Sequence, residues 1–291
     1  MVPQIKNGIL NIDKPQGITS HDVVDIVRKI FPGIKVGHTG TLDPIATGVL
    51  PICIGKATKL SDEFLSENKV YKVKMLLGVE TDTYDITGKI VFANTLNEDE
   101  IYIKERIKRF IGKSSQIPPI YSAIKIKGKK AYEYARNGEN VSLKPREIEI
   151  FNIDDIDVNL RKRQVSFVVS CTKGTYIRSL VHDIGIKLGC GATMIELKRL
   201  KTGDFDINDS IDLYEFLNLE YLDMLDKIVS IEELYKDSKK INLKDKDYVK
   251  FLNGIAIKTD VPNGIVRVYE NLRYKGLGKV NDNLLKRFII E

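Results

Sequence analysis

Residues 37–52 read GHTGTLDPIATGVLPI and place a single carboxylate, Asp43, among glycines, small hydroxyl residues and a proline. Pro44 disfavours helical backbone at Asp43 and favours an extended conformation. The glycines permit positive φ and let the backbone approach another backbone or a ligand closely. This composition is typical of a surface Asp-Pro turn. The apolar run 48–55 instead predicts a core strand, beside which Asp43 would be a partly solvated acid held in a fixed place.

The composition is that of an ordinary globular protein, with 291 residues of which 30% are charged. No apolar run approaches the roughly 18 residues of a membrane span, and residues 1–10 lack the apolar core of a signal peptide. We therefore expect a cytoplasmic protein with no membrane partner. The three cysteines and three histidines lie at no metal-ligand spacing, so neither a metal site nor disulfides are expected.

The charge is unevenly distributed along a chain whose net charge is +6. Residues 204–237 hold eleven acidic residues against two lysines. Residues 121–146 hold seven basic against two acidic residues, and residues 239–291 hold twelve against six. Basic blocks of this kind favour a polyanion as partner, with nucleic acid as the first candidate. A generally lysine-rich surface would give the same pattern.

Two further polar side chains fall on elements predicted to be partly buried. Residues 69–77 alternate apolar and polar side chains, which predicts a strand with Tyr71 at its beginning and on the core face. A tyrosine in that position usually packs and hydrogen-bonds its hydroxyl. Thr175 and Gly189 delimit a predicted helix that carries Arg178 in its first turn. A cation there is unfavourable beside the helix dipole unless it pairs with an acid, although an arginine reaching solvent is the simpler alternative.

Hydrophobic periodicity predicts alternating strands and helices through the first part of the chain. Residues 8–13 predict a strand, and Thr19 or Ser20 can cap the helix that follows. Asn97 and Glu100 resemble a capping box for a helix through residue 110. Further elements are predicted in the same way: strands at 147–153, 164–171 and 190–205, and two acidic helices within 210–236.

Residues 118–146 are predicted to form a basic arm: a strand that runs into a lysine-rich turn, followed by a short helix with Tyr132, Tyr134 and Arg136. Such a segment can neutralise phosphates and stack on bases, and a plain solvated helix would carry the same residues. After about residue 237, short β segments are separated by Asn-Gly and Gly-x-Gly turns. We therefore expect a large domain over residues 1–237 and a small β-rich domain over residues 238–291.

The sequence does not match the common nucleotide-binding motifs. Gly55-Lys56 follows an apolar run, but a phosphate-binding P-loop would need glycine where Leu50 stands and a hydroxyl where Ala57 stands. The glycine spacing in residues 37–48 also excludes a dinucleotide-binding fingerprint. One carboxylate without a partner acid suits nucleophilic or base chemistry better than a two-carboxylate hydrolysis.

Five segments resemble, in order, the motifs of the bacterial tRNA pseudouridine synthase B (TruB) family: LNIDKPQGITSHDVV, GHTGTLDPIATGVLPICIGKATKL, YKVKMLLGVETDTYDITG, PPIYSAIKIKGKKAYEYARNG and CTKGTYIRSLVHDIGIKLG. They cover about residues 8–200, and the C-terminal segment is more loosely similar to the family's short PUA domain. The resemblance implies an α/β (α+β) pseudouridine synthase fold. In it, helices flank a mixed, mainly antiparallel sheet, and a small β-rich PUA-like domain follows.

The resemblance also implies roles for individual residues. Asp43 matches the catalytic aspartate, Tyr71 a tyrosine that stacks on the target base and helps to remove the C5 proton, and Arg178 an arginine paired with the aspartate. His38 matches a histidine that helps to displace the target nucleotide, and Asp85 an acid that holds the loop network. Lys14 matches a residue expected to support the site. Tyr176 is expected to bind the RNA, and so are Lys129 and Lys130, which belong to the basic arm.

The implied reaction isomerises uridine to pseudouridine in the T-arm loop of tRNA, at the position customarily numbered 55. The N1–C1′ bond breaks, the uracil turns and a C5–C1′ bond forms, so no cofactor or metal is expected. The uridine must first be flipped out of the folded loop. An ionised Asp43 would attack C1′ or abstract the C2′ proton, and both routes remain open. Arg178 nearby would favour the ionised carboxylate.

The expected partner is tRNA, bound by a monomer without a guide RNA. The guide-dependent archaeal and eukaryotic type is an alternative, which the short C-terminal domain and the KKAYEYARNG arm disfavour. A non-catalytic RNA-binding or chaperone protein is the alternative from another class. The set of Asp43, Tyr71 and Arg178 favours the enzyme over it.

Overall fold

The computed structural model describes residues 6–65, 67–95, 98–122, 124–126, 128–137, 139 and 141–291. The chain forms two compact units. The first unit comprises Met1–Asp43, Leu50–Leu65 and Asp209–Glu291, and the second comprises Pro44–Val49 and Ser66–Asn208. In the described part of the chain, no helix is both long and apolar enough to cross a membrane.

The strands are, in chain order, β1 (Gly8–Lys14), β2 (Val36–His38), β3 (Thr47–Ile54), β4 (Lys69–Leu77), β5 (Val79–Thr81), β6 (Ile90–Ala93), β7 (Gly112–Gln116), β8 (Lys125–Ile126), β9 (Lys129–Lys130), β10 (Arg146–Asn159), β11 (Gln164–Cys171), β12 (Ala192–Thr202), β13 (Phe205–Asp206), β14 (Ile211–Asp212), β15 (Ile228–Ser230), β16 (Lys240–Leu243), β17 (Ile257–Lys258), β18 (Gly264–Glu270), β19 (Arg273–Asn281) and β20 (Leu284–Ile290). The helices are α1 (Ser20–Ile30), α2 (Ser61–Leu65), α3 (Glu100–Lys108), α4 (Ala131–Arg136), α5 (Ile177–Leu188), α6 (Leu213–Leu217), α7 (Tyr221–Asp226), α8 (Ile231–Leu234) and α9 (Asp245–Leu252).

The second unit is built on a mixed, mainly antiparallel sheet. Its strand order is β12-β4-β11-β10-β7, all antiparallel, and the first residues of β3 pair in parallel with β12. Helix α5 lies close against the start of β12, because a Cβ at Gly185 would stand 2.2 Å from the backbone nitrogen of Ala192. The predicted fold class, a mixed sheet with flanking helices, is therefore confirmed.

The first unit contains β1, which pairs in parallel with β14 and antiparallel with β15, and β2, which pairs antiparallel with β3. Helix α1 begins with a complete capping box: the Thr19 hydroxyl accepts from Asp22 N–H at 3.0 Å, and the Asp22 carboxylate accepts from Thr19 N–H at 2.7 Å. Of the two predicted capping residues, Thr19 is therefore the N-cap.

A second sheet, β16-β18-β19-β20-β17, makes the C-terminal segment β-rich as predicted. It has a core of its own, to which α9 contributes Phe251, formed by Leu243, Phe251, Val266, Val268, Val280 and Leu285. The predicted domain boundary at residues 237/238 falls inside the first unit.

Several helix predictions need correction. Residues 213–234 hold three short helices, α6 to α8, instead of two acidic ones. The strand β15 interrupts the helical stretch after α7, and the side chain of Ser230, the last residue of β15, accepts a backbone N–H and begins α8. The N-cap of α5 is Tyr176, since the Thr175 hydroxyl donates to the Thr172 carbonyl. The N-cap of α3 is Asp99, and Asn97 lies outside the described residues.

The predicted strand within 118–130 is also shorter than expected. Residues 118–122 form no regular element, and the basic turn is a hairpin of the two-residue strands β8 and β9. Helix α4 follows directly, and the Tyr134 hydroxyl donates to the Ile126 carbonyl at 3.0 Å, which fastens the helix to the hairpin.

Candidate active site

Asp43 lies half-buried in the loop between β2 and β3, and the backbone just before it is firmly held. The Leu42 N–H donates to the Ser20 hydroxyl oxygen at 2.8 Å, and the Ser20 hydroxyl donates to the Leu42 carbonyl at 3.2 Å. Ser20 and Leu42 are both buried. Because Ser20 is the first residue of α1, the start of this helix fixes the residue that precedes the acid.

His38 ends β2 and begins the same loop. Its Nδ1 accepts from Gly40 N–H at 3.2 Å. An imidazole nitrogen that accepts carries no proton, so the neutral ring carries its proton on Nε2. The imidazole is thus tied to the loop backbone, with Nε2 as its donor.

Lys14 is buried at the end of β1. Its ammonium donates to the carbonyls of Pro15 and Ile18, each at 2.8 Å. These bonds satisfy a charge that burial alone would make costly. Lys14 therefore closes the turn between β1 and α1.

The segment after Asp43 is fixed in the second unit by Gly48. Gly48 has φ of +102°, and a Cβ there would stand 2.2 Å from the Arg199 carbonyl oxygen. It pairs with Arg199 in the parallel register of β3 and β12. Glycine alone combines this backbone conformation with so close an approach.

Tyr71 lies on the inward face of β4, 8% exposed, as the alternation of that strand predicts. It stands directly opposite Arg199 of β12 in the sheet register. Arg199 is 1% exposed, donates from Nε to the Val49 carbonyl at 2.7 Å, and is hydrogen-bonded to the Tyr71 side chain. Burial lowers the pKa of Arg199, and its interaction with Tyr71 opposes that lowering.

Arg199 is absent from the sequence-predicted site, although the sequence holds a signal for it. In the alternation of β12, Arg199 falls on the same inward face as Leu197, two residues earlier. A charged residue at a predicted core position is a candidate for a specific partner. The identity of that partner depends on the pairing of β12 with β4, which one sequence does not give.

Lys69 is a second buried cation on the inward face of β4. Its ammonium donates to the Glu67 carbonyl. Burial first, and then the positive charge of Arg199, lowers the pKa of Lys69 to about 8. The inward faces of β4 and β12 thus place two cations next to a phenol.

Arg178, in the first turn of α5, and Asp85 are brought together by the fold. Arg178 Nη1 lies 3.6 Å from Asp85 Oδ2, and both side chains are almost fully buried. The guanidinium also donates to the carbonyls of Thr83 at 3.2 Å and Tyr121 at 2.9 Å. Asp85 Oδ1 accepts from the hydroxyls of Thr83 and Thr87 at 2.9 and 2.5 Å. Arg178 is therefore anchored to the polar turn around Asp85.

Tyr84 and His182, which were not predicted as site residues, flank this pair. Tyr84 has φ of 64°, and its ring stacks on that of His182 at 3.9 Å between centroids. His182 Nδ1 lies 3.3 Å from Glu80. Burial raises the pKa of Tyr84. The stack ties the turn to the next helical turn of α5.

The remaining predicted residues lie in the second unit. Tyr176 is half-buried, and its backbone N–H and carbonyl form two hydrogen bonds with the Gln116 side chain, at 2.8 and 3.1 Å. Lys129 is exposed on the β8–β9 hairpin. Lys130 belongs to β9, and its side chain lies outside the described set. Asp43, His38 and Lys14, by contrast, belong to the first unit.

Two protein-family models match the chain. The model described as TruB family pseudouridylate synthase (N terminal domain) matches residues 28–177. The model described as tRNA pseudouridylate synthase B C-terminal domain matches residues 178–234.

Curated relatives match over almost the full length. The chain is 44% identical to tRNA pseudouridine synthase B of Clostridium kluyveri, over 97% of the chain and 100% of the relative. It is 47% identical to the protein of that name from Clostridium tetani, over 94% and 95%, and 40% identical to that from Aquifex aeolicus, over 98% and 100%.

Two solved structures contain chains of similar fold. An H/ACA RNP bound to a substrate RNA containing 2′-deoxyuridine includes a chain with a TM-score of 0.69 and 25% identity, over 98% of this chain and 85% of that one. A Cbf5-Nop10-Gar1 complex includes another, with a TM-score of 0.69 and 28% identity, over 98% and 84%.

Proposed function

The chain belongs to the TruB family of pseudouridylate synthases, and we propose that it isomerises the uridine customarily numbered 55 in the T-arm loop of tRNA. Uridine-to-pseudouridine isomerisation in tRNA is the activity of this family, and the chain is an isomerase of this kind. The observation that carries the proposed site is the Asp43 loop. It presents one half-buried carboxylate from backbone that is held at Leu42 and again at Gly48.

In the reaction the N1–C1′ bond of the uridine breaks, the uracil turns, and C5 bonds to C1′. Asp43 acts as its ionised carboxylate, either by attack on C1′ or by removal of the C2′ proton. Either route requires an acid held in a fixed position, since misplacement by even 1 Å is costly in rate. The anchored loop meets that requirement.

Tyr71 is proposed to stack on the uracil and to help remove the C5 proton. Arg178 is proposed to stabilise the negative charge of the reacting carboxylate. Its observed bonds to Asp85 and to two carbonyls support a fixed orientation for the guanidinium. Asp85 then serves as the acid that organises the polar turn.

Binding of tRNA must offset the cost of flipping the uridine out of its loop, which is a few kcal/mol. Cations that contact phosphates supply such binding free energy. We assign this role to the basic arm, with Lys129 and Lys130, and to a PUA-like domain over residues 238–291, whose separate hydrophobic core supports its independence. His38 is proposed to help displace the nucleotide, Tyr176 to contact the RNA, and Lys14 to support the site. The proposed enzyme is a cytoplasmic monomer that uses no guide RNA.

The test is to incubate the protein with an unmodified tRNA transcript and to map pseudouridine by carbodiimide primer extension. Wild type should give a stop at the T-loop uridine. Asp43→Asn should lower the rate by roughly 10³-fold or more, since it removes the charge that the chemistry needs. Asp204→Asn, a change at an exposed aspartate, is the matched control and should leave the rate unchanged.

Two results would overturn the proposal: binding of tRNA by wild type without any pseudouridine, or an undiminished stop with Asp43→Asn. The first would favour the non-catalytic RNA-binding alternative. The second would leave the activity but remove Asp43 from the chemistry. Thermal unfolding of each variant separates loss of catalysis from loss of the fold.

A further inference from the structure

Arg199 is a fully buried cation in the sheet of the second unit, and it has no role in the reaction proposed above. Removing a guanidinium from water costs several kcal/mol unless its hydrogen bonds are replaced. Arg199 belongs to β12, donates to the Val49 carbonyl on β3 and is bonded to Tyr71 on β4. The Arg199 side chain therefore links Val49, on the strand that follows the Asp43 loop, to the Tyr71 hydroxyl.

The direction of the bond to Tyr71 follows from the chemistry of the two groups. A guanidinium has only donors, so the Tyr71 oxygen accepts. The planar fork and the bond from Nε to Val49 hold the guanidinium in one orientation. The phenol oxygen is consequently held at a defined point on the inward face of β4.

The charge of Arg199 also acts on Tyr71. The attraction between a guanidinium and an ionised phenol is reciprocal, and it is strong where water is excluded. Lys69, two residues before Tyr71 on the same face, adds a second positive charge nearby. Negative charge on the Tyr71 oxygen is thereby stabilised.

We propose that Arg199 is a positioning residue for Tyr71 that fixes the phenol oxygen and stabilises the phenolate which accepts the C5 proton. The inference rests on the proposed function. After the C5–C1′ bond has formed, C5 still carries its hydrogen, and the ring has an N1–C6 double bond. The proton passes from C5 to the phenolate, and the C–H electron pair becomes the C5–C6 double bond. The N1–C6 pair returns to N1, which takes a proton from water, and the phenol later returns its proton to water.

The test uses Arg199→Lys, Arg199→Met, Tyr71→Phe and the two corresponding double variants. Lys keeps the charge but loses the planar fork, whereas Met has a similar length and leaves no charge to bury. The readouts are the single-turnover release of tritium from tRNA labelled at C5 of uridine, the isotope effect of deuterium at C5, and the Kd for tRNA.

We expect Arg199→Met to slow tritium release by about 100-fold and Arg199→Lys by about 10-fold, with Kd changed less than twofold. The isotope effect should rise in both, because removal of the C5 proton becomes slower relative to the other steps. In the Tyr71→Phe background, either change should slow the reaction less than twofold further. Lys201→Gln, at an exposed cation of the same strand, should match wild type.

Equal slowing by the Arg199 changes with and without the Tyr71 hydroxyl would overturn the inference, because Arg199 would then act independently of Tyr71. An unchanged isotope effect, or a loss confined to Kd, would overturn it as well. If wild type itself forms no pseudouridine, the proposed function fails instead. If wild type is active and the Arg199 variants match it, only this inference fails.

Discussion

At the scale of single residues, the protonation of Lys69, on the inward face of β4, affects the stability of the fold. Its ammonium is buried, and its pKa falls to about 8 from an ordinary value of 10.5. Below pH 8 the lysine is protonated in both the folded and the unfolded chain, so the full cost of burying the charge is present. Between about pH 8 and 10.5 the folded state loses the proton first, and this cost disappears.

We therefore predict that the contribution of Lys69 to the free energy of unfolding becomes more favourable as pH rises from 7 to 10.5. The unfolded chain binds more protons in this window, so stability rises with pH. Relative to Lys69→Met, wild type should gain about 2 to 3 kcal/mol between pH 7 and pH 10, since each unit of pKa difference corresponds to about 1.4 kcal/mol. Urea unfolding of both proteins at pH 7, 8, 9 and 10 measures the difference.

Lys72→Met is the matched control for that experiment, because Lys72 lies on the exposed face of the same strand. Its difference from wild type should stay constant with pH. A constant difference for Lys69→Met as well would show that Lys69 is not a buried cation in solution.

For Tyr71 and Arg178, the sequence predicts where each residue lies on its element but not which residue it contacts. The inward position of Tyr71 follows from the alternation of β4, and the need of Arg178 for an acid follows from the helix dipole. The partners do not follow in the same way. Arg199 reaches Tyr71, and Arg178 reaches Asp85, through contacts between segments far apart in sequence, which periodicity alone does not specify.

At the scale of elements, the Asp43 loop depends on the first turn of α1. Ser20 both accepts from and donates to the Leu42 backbone, so it replaces the two hydrogen bonds that a buried peptide would otherwise lose. The loop between β2 and β3 is thereby docked on a helix that is itself fixed by the Thr19–Asp22 capping box.

We predict that Ser20→Ala reduces the rate of pseudouridine formation about 10-fold while tRNA affinity changes little. The change leaves the Leu42 N–H unsatisfied, which costs about 1–3 kcal/mol and is relieved by movement of the loop. Single-turnover rates and Kd for tRNA measure the two effects separately. Ser61→Ala removes another serine-to-backbone bond, from Ser61 to the Thr58 carbonyl, and should lower only stability. Equal rates for the two variants would show that the Ser20 contact does not position Asp43.

Element boundaries were predicted best where the chain carries a complete local signal. The Thr19 cap and the Gly189 end of α5 are of this kind, and Gly189 adopts φ of 73° at the C-cap. Residues 210–236 are predicted to form two acidic helices, but they hold three short ones. The short strand β15 and the Ser230 cap separate the third helix, α8, from α7, and such a cap works only where backbone N–H groups are left for a side chain.

At the scale of the whole molecule, the charge distribution agrees with an enzyme whose substrate is a polyanion. The family and the fold class are predicted by motifs that occur in the family's order over about residues 8–200. Local hydrophobic patterns alone would not have predicted that the strands in this range form one sheet. Residues 209–291 pack with the N-terminal segment in one compact unit, and the domain boundary at residues 237/238 stays a prediction. Composition marks a change near residue 237, but it carries no information about which segments pack together.

The salt dependence of tRNA binding tests the part that the basic arm plays in this molecule. Lys125 and Lys129 are exposed on the β8–β9 hairpin, so each can release counterions when it contacts a phosphate. Replacing both with alanine should weaken binding and make the slope of log K against log salt concentration shallower by about 1 to 2. Lys104→Ala is the control, because Lys104 is paired with Glu100 at 2.6 Å and should leave the slope unchanged. If the double variant keeps the wild-type slope, phosphate contacts must come from elsewhere, and the hairpin lies outside the tRNA interface.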